Sequence, residues 1–104
     1  MPLNTSDSLD PSLRSLIAVF RRSPNWDAEL DLELLKKLWP VLVGEPLARL
    51  APIVALRQET LVVNVPDRVW RKELSGMKGI LIERINRSIS GLQIRNIAFT
   101  HENH

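Results

Sequence analysis

The residues whose types and spacing most clearly indicate a ligand site are cations at the start of a helical segment. Arg68, Arg71 and Lys72 lie in the first turns after Pro66-Asp67, where positive charges oppose the helix dipole. Arg68 and Lys72 also form a like-charge pair at i, i+4. An anion such as phosphate would satisfy both the dipole and the side chains, so the cluster predicts a ligand site. The alternative is a solvated surface that nearby carboxylates neutralise.

A glycine pattern follows at Gly76-Met77-Lys78-Gly79. In KH domains a GxxG loop between two helices clamps the nucleic-acid backbone, because glycine permits close approach and a helix N-terminus favours phosphate. A continuous helix is the alternative, at a cost of about 1 kcal/mol per glycine relative to alanine. It is supported by an apolar stripe that stays in phase through the pattern at Trp70, Leu74, Met77, Leu81 and Ile85.

This sequence contains few of the residue types that enzymes use for catalysis. Cysteine and tyrosine are absent, and the two histidines, His101 and His104, lie in the terminal tail. A phosphate loop of the GxxxxGK[ST] type is also absent. We therefore predict no catalytic residue, no metal ligand and no cofactor.

Charge is distributed unevenly along the 104 residues, whose net charge is +2. Residues 1–34 carry three basic and six acidic side chains, whereas residues 35–104 carry eleven basic and six acidic ones. A basic folded part suits weak attraction to phosphate or to an acidic protein surface. With no signal peptide or apolar span visible, the expected location is the cytoplasm, without a membrane contact.

Three segments are expected along the chain. Residues 1–24 form an N-terminal extension in which Asp10-Pro11 starts a short helix. Residues 25–100 form the folded domain, and 101–104 a polar tail. The apolar face of the short helix is expected to pack on this domain or on a partner, with a dimeric scaffold as a further alternative. That face comprises Leu13, Leu16, Ile17 and Phe20.

Periodicity gives the order of elements in the domain. A helix starts near Asp27, Pro40 kinks or restarts it, and Pro46 begins a final turn. β-branched runs at 53–56 and 61–65 indicate an antiparallel hairpin. A long helical segment follows Asp67, and residues 92–99 indicate a last strand. This α+β order, αββααβ, is that of the type II KH fold, a three-stranded sheet with helices packed on one face.

Four residues are expected to be mainly structural. Trp39 and Trp70 fall on apolar stripes and are predicted to pack helix against sheet. Leu74 shares the stripe of Trp70, and Gly44 indicates a close helix contact.

Several blocks of this sequence resemble the DciA-like family of bacterial proteins, formerly a domain of unknown function. The resemblance covers roughly residues 30–99. It rests on Trp39-Pro40-Val41-Leu42-Val43-Gly44, Leu47-Ala48 and Pro52, then on 61–65, Trp70-Arg71-Lys72-Glu73-Leu74, 81–86 and 94–99. It does not extend to the glycine pattern.

The resemblance implies a KH-like domain that binds the replicative helicase of the DnaB type, assists its loading and contacts single-stranded or duplex DNA. On that reading a basic cluster meets phosphate or an acidic partner surface. Its members are Arg68, Arg71, Lys72, Lys78, Arg84 and Arg87. Family members often carry a long basic extension after this domain, whereas this sequence stops at His104. We therefore expect the extension's contacts with DNA or helicase to be missing or to be made by other groups. The alternative function is a stand-alone KH module for single-stranded nucleic acid or RNA.

Overall fold

The computed structural model describes residues 10–101 as five helices and three strands. The helices are α1 (Pro11–Arg21), α2 (Ala28–Val43), α3 (Glu45–Leu50), α4 (Arg68–Ser75) and α5 (Lys78–Ser88). The strands are β1 (Ile53–Arg57), β2 (Thr60–Asn64) and β3 (Asn96–Thr100). The predicted α+β class is confirmed. The tail residue His104 and the first nine residues lie outside the described range.

The strands form one mixed sheet with β2 at its centre. β1 pairs with β2 antiparallel, and β3 pairs with β2 parallel. The predicted hairpin is therefore confirmed, and its two-residue turn places Gln58 at a positive φ of 56°. Residues paired across a sheet share one face. Leu61, with Leu56 and Ile97 beside it, faces the core, whereas Val62 is outside the core cluster on the opposite face.

The core lies between that face of the sheet and the helices. Leu61 and Val63 of β2 are buried together with apolar side chains of α2 and α5. Trp39 is 4% exposed, and its indole Nε1 donates a hydrogen bond to the Ala51 carbonyl at 2.7 Å. The predicted structural role of Trp39 is thus supported by both its packing and its polar atom. α2 runs through Pro40 and ends at Gly44, whose φ is +95°.

The first helix is joined to the rest of the chain by one core residue and one arginine. Asp10 caps it as the sequence predicts, accepting a hydrogen bond from the Ser12 N–H. Ile17 is buried in the core. Arg21 donates from Nε and Nη2 to both carboxylate oxygens of Asp31 at 2.8 and 3.1 Å, and from Nη1 to the Ser90 carbonyl at 2.7 Å.

The other large apolar residues of that helix are exposed. Leu13, Leu16 and Phe20 are 39%, 50% and 53% exposed, so of the predicted apolar face only Ile17 packs inward.

The segment after Asp67 consists of two helices, as the predicted αββααβ order requires, so the alternative of a continuous helix through the glycine pattern is wrong. The segment breaks after Ser75, and Gly76 and Met77 form a two-residue turn before α5. The last strand is shorter than predicted, because only residues 96–100 pair with β2. Leu92 and Ile94 are nevertheless buried, which is why residues 92–95 resemble a strand in the sequence.

Gly91 is the glycine on which the anchoring of α1 depends. Its φ is +87°, and a Cβ there would lie 2.8 Å from Nη1 of Arg21. We expect Gly91→Ala to lower the free energy of unfolding by about 1–3 kcal/mol, because the backbone is strained and Arg21 is displaced. Urea denaturation measures it. Gly79→Ala is the control, since a Cβ there meets nothing within 4 Å; equal losses in the two variants would contradict this account.

Asp31 gives the fold a predictable dependence on pH. Burial by itself would raise its pKa, but hydrogen bonds from Arg21 and Trp26 and the Arg21 charge outweigh burial and hold that pKa below its usual value. A carboxyl with a lowered folded pKa contributes stability at neutral pH, and this contribution disappears as the pH falls below about 4. The Asp31→Asn variant should be less stable at pH 7 and lose less stability on acidification. Parallel acid-induced losses in the two proteins, from urea midpoints across pH, would refute this.

Candidate nucleic-acid and partner interface

α4 projects most of its side chains into solvent. Asp67 caps it, accepting a hydrogen bond from the Trp70 N–H at 3.1 Å, as the sequence predicts. Leu74 is its one buried residue, at 2% exposure. Val69 is 72% exposed and Trp70 38%. A short polar helix thus presents two large apolar side chains to solvent, a combination that often marks a contact with another macromolecule.

The prediction that Trp70 is a core residue is wrong. The stripe from Trp70 to Ile85 assumes a single helix, but the turn at Gly76–Met77 divides it between two helices. Leu81 and Ile85 of α5 reach the core, and α4 contributes Leu74 alone. Trp70 lies one turn before Leu74, on the helix that buries a single side chain.

The six cations predicted to form one cluster are divided by their contacts. Arg71 donates from Nη1 to the carbonyls of Val65 and Pro66 at 2.8 and 2.9 Å, so it holds the loop between β2 and α4. Arg84 donates to the Leu42 carbonyl at 2.9 Å, near the end of α2. These contacts give both arginines a structural role, because a guanidinium can donate to unpaired carbonyls at the ends of other elements. Their contact with phosphate or an acidic partner surface stays a prediction.

Two of the remaining four make weaker contacts. Lys78 places its ammonium 5.1 Å from the centre of the Phe99 ring, a cation–π distance. Arg87 pairs with Glu83 at 3.1 Å, with both side chains at least half exposed. Arg68 and Lys72 are exposed and make no hydrogen bond or ion pair with any residue between 10 and 101. These two are therefore the members of the cluster most available to an anion.

The glycine pattern forms the junction between α4 and α5. Gly76 has φ −73° and ψ −11°, and Met77 continues the turn with φ −108°. A Cβ on Gly76 would make an ordinary contact of 3.6 Å with the Glu73 carbonyl oxygen, and one on Gly79 would meet open space. The fold therefore does not require glycine at either position. Lys78 and Gly79 lie in the first turn of α5, where backbone N–H groups lack helical partners.

Sequence reasoning missed Val69 and the exposure of Trp70. A signal was present: a helix that opens with Arg68, Arg71 and Lys72 has little room for a wide apolar face, so its apolar residues were candidates for exposure. It also missed the groove between α1 and the end of α5, which brings together residues more than sixty positions apart.

Other kinds of site find no support within residues 10–101. That range holds no group of three or more histidine or acidic side chains arranged to bind a metal. Its helices are also too short or too polar for any of them to cross a membrane.

This chain is similar in sequence to a known protein and matches the model of a protein family. The UPF0232 protein BL0636 of Bifidobacterium longum (strain NCC 2705) is 26% identical over 92 residues, which cover 88% of this chain and 59% of the relative. The chain thus spans less than two thirds of that relative's length. The model of the family described as Dna[CI] antecedent, DciA, matches residues 12–99, from the first turn of α1 into β3. With most of its length matched, the chain belongs to the DciA family.

Proposed function

We propose that this chain is a non-enzymatic accessory protein of DNA replication that acts in the cytoplasm, binds the replicative helicase of the DnaB type and contacts DNA. The observation that carries the proposal is the family match over residues 12–99. It favours this function over a stand-alone RNA-binding module. The architecture belongs to the proposal as well: from α2 onward, the elements follow the αββααβ order of a KH-like domain, with α3 added.

The helicase contact is assigned to the exposed side of α4. Val69 and Trp70 offer apolar surface, and tryptophan is among the residues that contribute most to protein interfaces. Arg68 and Lys72 flank them with charges that no described residue neutralises. Such a rim suits an acidic partner surface and accelerates association.

The DNA contact is assigned to the same end of the domain. Arg68, Lys72 and Lys78 supply positive charge near the turn between α4 and α5. Gly76 and Gly79 leave the backbone of that turn open to close approach, as a phosphate clamp requires. Since the fold itself does not require these glycines, a role in ligand approach accounts for them.

Replacing Trp70 tests the helicase contact. We expect Trp70→Ala to cost about 1–2 kcal/mol of stability, less than a buried tryptophan, because more than a third of the side chain is already exposed. Binding of the purified DnaB-type helicase should weaken at least tenfold, which is about 1.4 kcal/mol. Surface plasmon resonance and thermal melting measure the two effects.

Trp39→Ala is the matched control for stability. It removes a buried ring and should cost about 3–5 kcal/mol. Unchanged helicase affinity in a folded Trp70→Ala protein would refute the assignment of the helicase contact to α4.

Removing the two unpaired cations tests the DNA contact. The double variant Arg68→Ala/Lys72→Ala should stay folded, because neither side chain bonds to another described residue. Its affinity for single-stranded DNA should depend less on salt, with the logarithmic slope reduced by about 0.7 for each phosphate that the variant no longer binds. Arg22→Ala/Lys37→Ala removes the same charge from exposed positions elsewhere. Equal slopes for the two double variants in a salt titration would assign the effect to net charge and contradict a local site.

A further inference from the structure

A groove with mainly apolar walls lies where α2, α3 and β1 meet. Its volume is about 310 Å³, near the lower end of the range for ligand pockets, so it has room for one large apolar side chain. We call this recess the Trp39 groove. The described residues that line it are Lys36, Trp39, Pro40, Ala48, Pro52 and Ile53.

Exposed apolar residues continue the surface of the groove along the chain that enters β1. Leu50 and Val54 are 43% and 46% exposed, and Pro52, between them, is exposed and lines the groove. These residues alternate with the buried Ala51 and Ile53. The result is a row of apolar side chains spaced by two residues, which is the spacing at which an extended chain presents its own side chains to one face.

Two prolines of the groove leave backbone acceptors without their usual donors. Pro40 has no N–H, so the Lys36 carbonyl loses its hydrogen bond within α2. Pro52 stands four residues after Ala48, and no backbone N–H between residues 10 and 101 donates to the Ala48 carbonyl. Both carbonyls belong to residues that line the groove. A ligand that covers the groove needs N–H groups to pair with them, because an acceptor left unpaired away from water is costly.

Lys36 gives the edge of the groove a positive charge. Its ammonium lies 4.0 Å from a Glu33 carboxylate oxygen, with the two side chains 43% and 58% exposed, and exposed pairs of this kind contribute little to stability. Lys37 follows on the same helix, is exposed and forms no ion pair with any residue from 10 to 101. A carboxylate carried by a ligand would therefore meet a cation beside the apolar recess.

We propose that the Trp39 groove binds an extended acidic segment of a partner protein, with one large apolar side chain in the recess and a carboxylate beside Lys36. An extended chain fits because its N–H groups are free to donate to the Lys36 and Ala48 carbonyls, whereas a helix uses most of its N–H groups internally. A second copy of this chain fits less well, because its densest acidic stretch, residues 27–33, lies in α2 and its N-cap. This inference is independent of the proposed function, which uses α4 and the turn after it.

Selection of peptides by the immobilised full chain tests this proposal. A phage library of random linear decapeptides should yield a consensus with one large apolar residue and an aspartate or glutamate close to it. A fluorescein-labelled peptide of that sequence should bind at least about tenfold more weakly to Ala48→Phe, whose ring occupies the recess, and about fivefold more weakly to Lys36→Glu. Fluorescence anisotropy measures both effects.

Ala28→Phe and Lys37→Glu are the matched controls, because both positions are exposed on α2 outside the lining of the groove. Affinity for the peptide should change less than about twofold in each, since an exposed charge away from the contact is screened. In a proton–nitrogen NMR correlation spectrum, the peptide should shift the indole N–H signal of Trp39 and leave that of Trp70 in place. Thermal melting checks folding, and if Ala48→Phe does not fold, Lys36→Glu still decides the question.

Other results of these experiments would overturn the proposal. A basic consensus, or none, would contradict an acidic segment, and equal losses in the groove and control variants would show that the peptide does not occupy the groove. A shift of the Trp70 signal in place of the Trp39 signal would assign the peptide to α4. Self-association that disappears in Ala48→Phe, measured by sedimentation, would make a second copy the occupant. Helicase binding by Trp70→Ala is a separate outcome, because that variant leaves the Trp39 groove intact.

Discussion

The rest of this structure depends on the burial of one face of the central strand. Leu61 and Val63 of β2 are almost fully buried, and a sheet of three strands needs helices to cover that face. α2 and α5 supply most of the cover. α4 is left with a single buried residue, Leu74, because the core face is already occupied. The exposure of Trp70 is thus a consequence of where the core is completed, and the helix is left available for contacts with other molecules.

The same constraint sorts the basic residues into two kinds. Arg71 and Arg84 lie where loops and helix ends meet, and each donates to backbone carbonyls that the packed elements leave unpaired. Arg68 and Lys72 are exposed to solvent, and no described residue forms an ion pair with either side chain. Substituting a cation of the first kind would disturb folding as well as binding, because an unpaired carbonyl costs about 1–3 kcal/mol. An alanine scan that treated all the basic residues alike would therefore confuse these two effects.

Local rules predicted the helix starts because their causes are local. Asp10, Asp27 and Asp67 each accept a hydrogen bond from a backbone N–H two or three residues ahead, and nothing distant is needed for that. The hairpin follows similarly from two β-branched runs and a short connection. Trp70 and Arg71 could not be placed in this way. Periodicity does not record that a helix breaks at Gly76–Met77, and no spacing rule gives the distance from Arg71 to the Val65 carbonyl.

α5 connects the parts of the candidate site because it serves two purposes at once. Its inner side, with Leu81 and Ile85, completes the core, while its outer side runs from the glycine turn to the groove beside α1. A helix fixed by a full apolar side keeps the Gly76–Met77 turn that precedes it in a constant position relative to the core. The DNA contact proposed for that turn would then need little rearrangement of the backbone on binding, which lowers the entropic cost of binding.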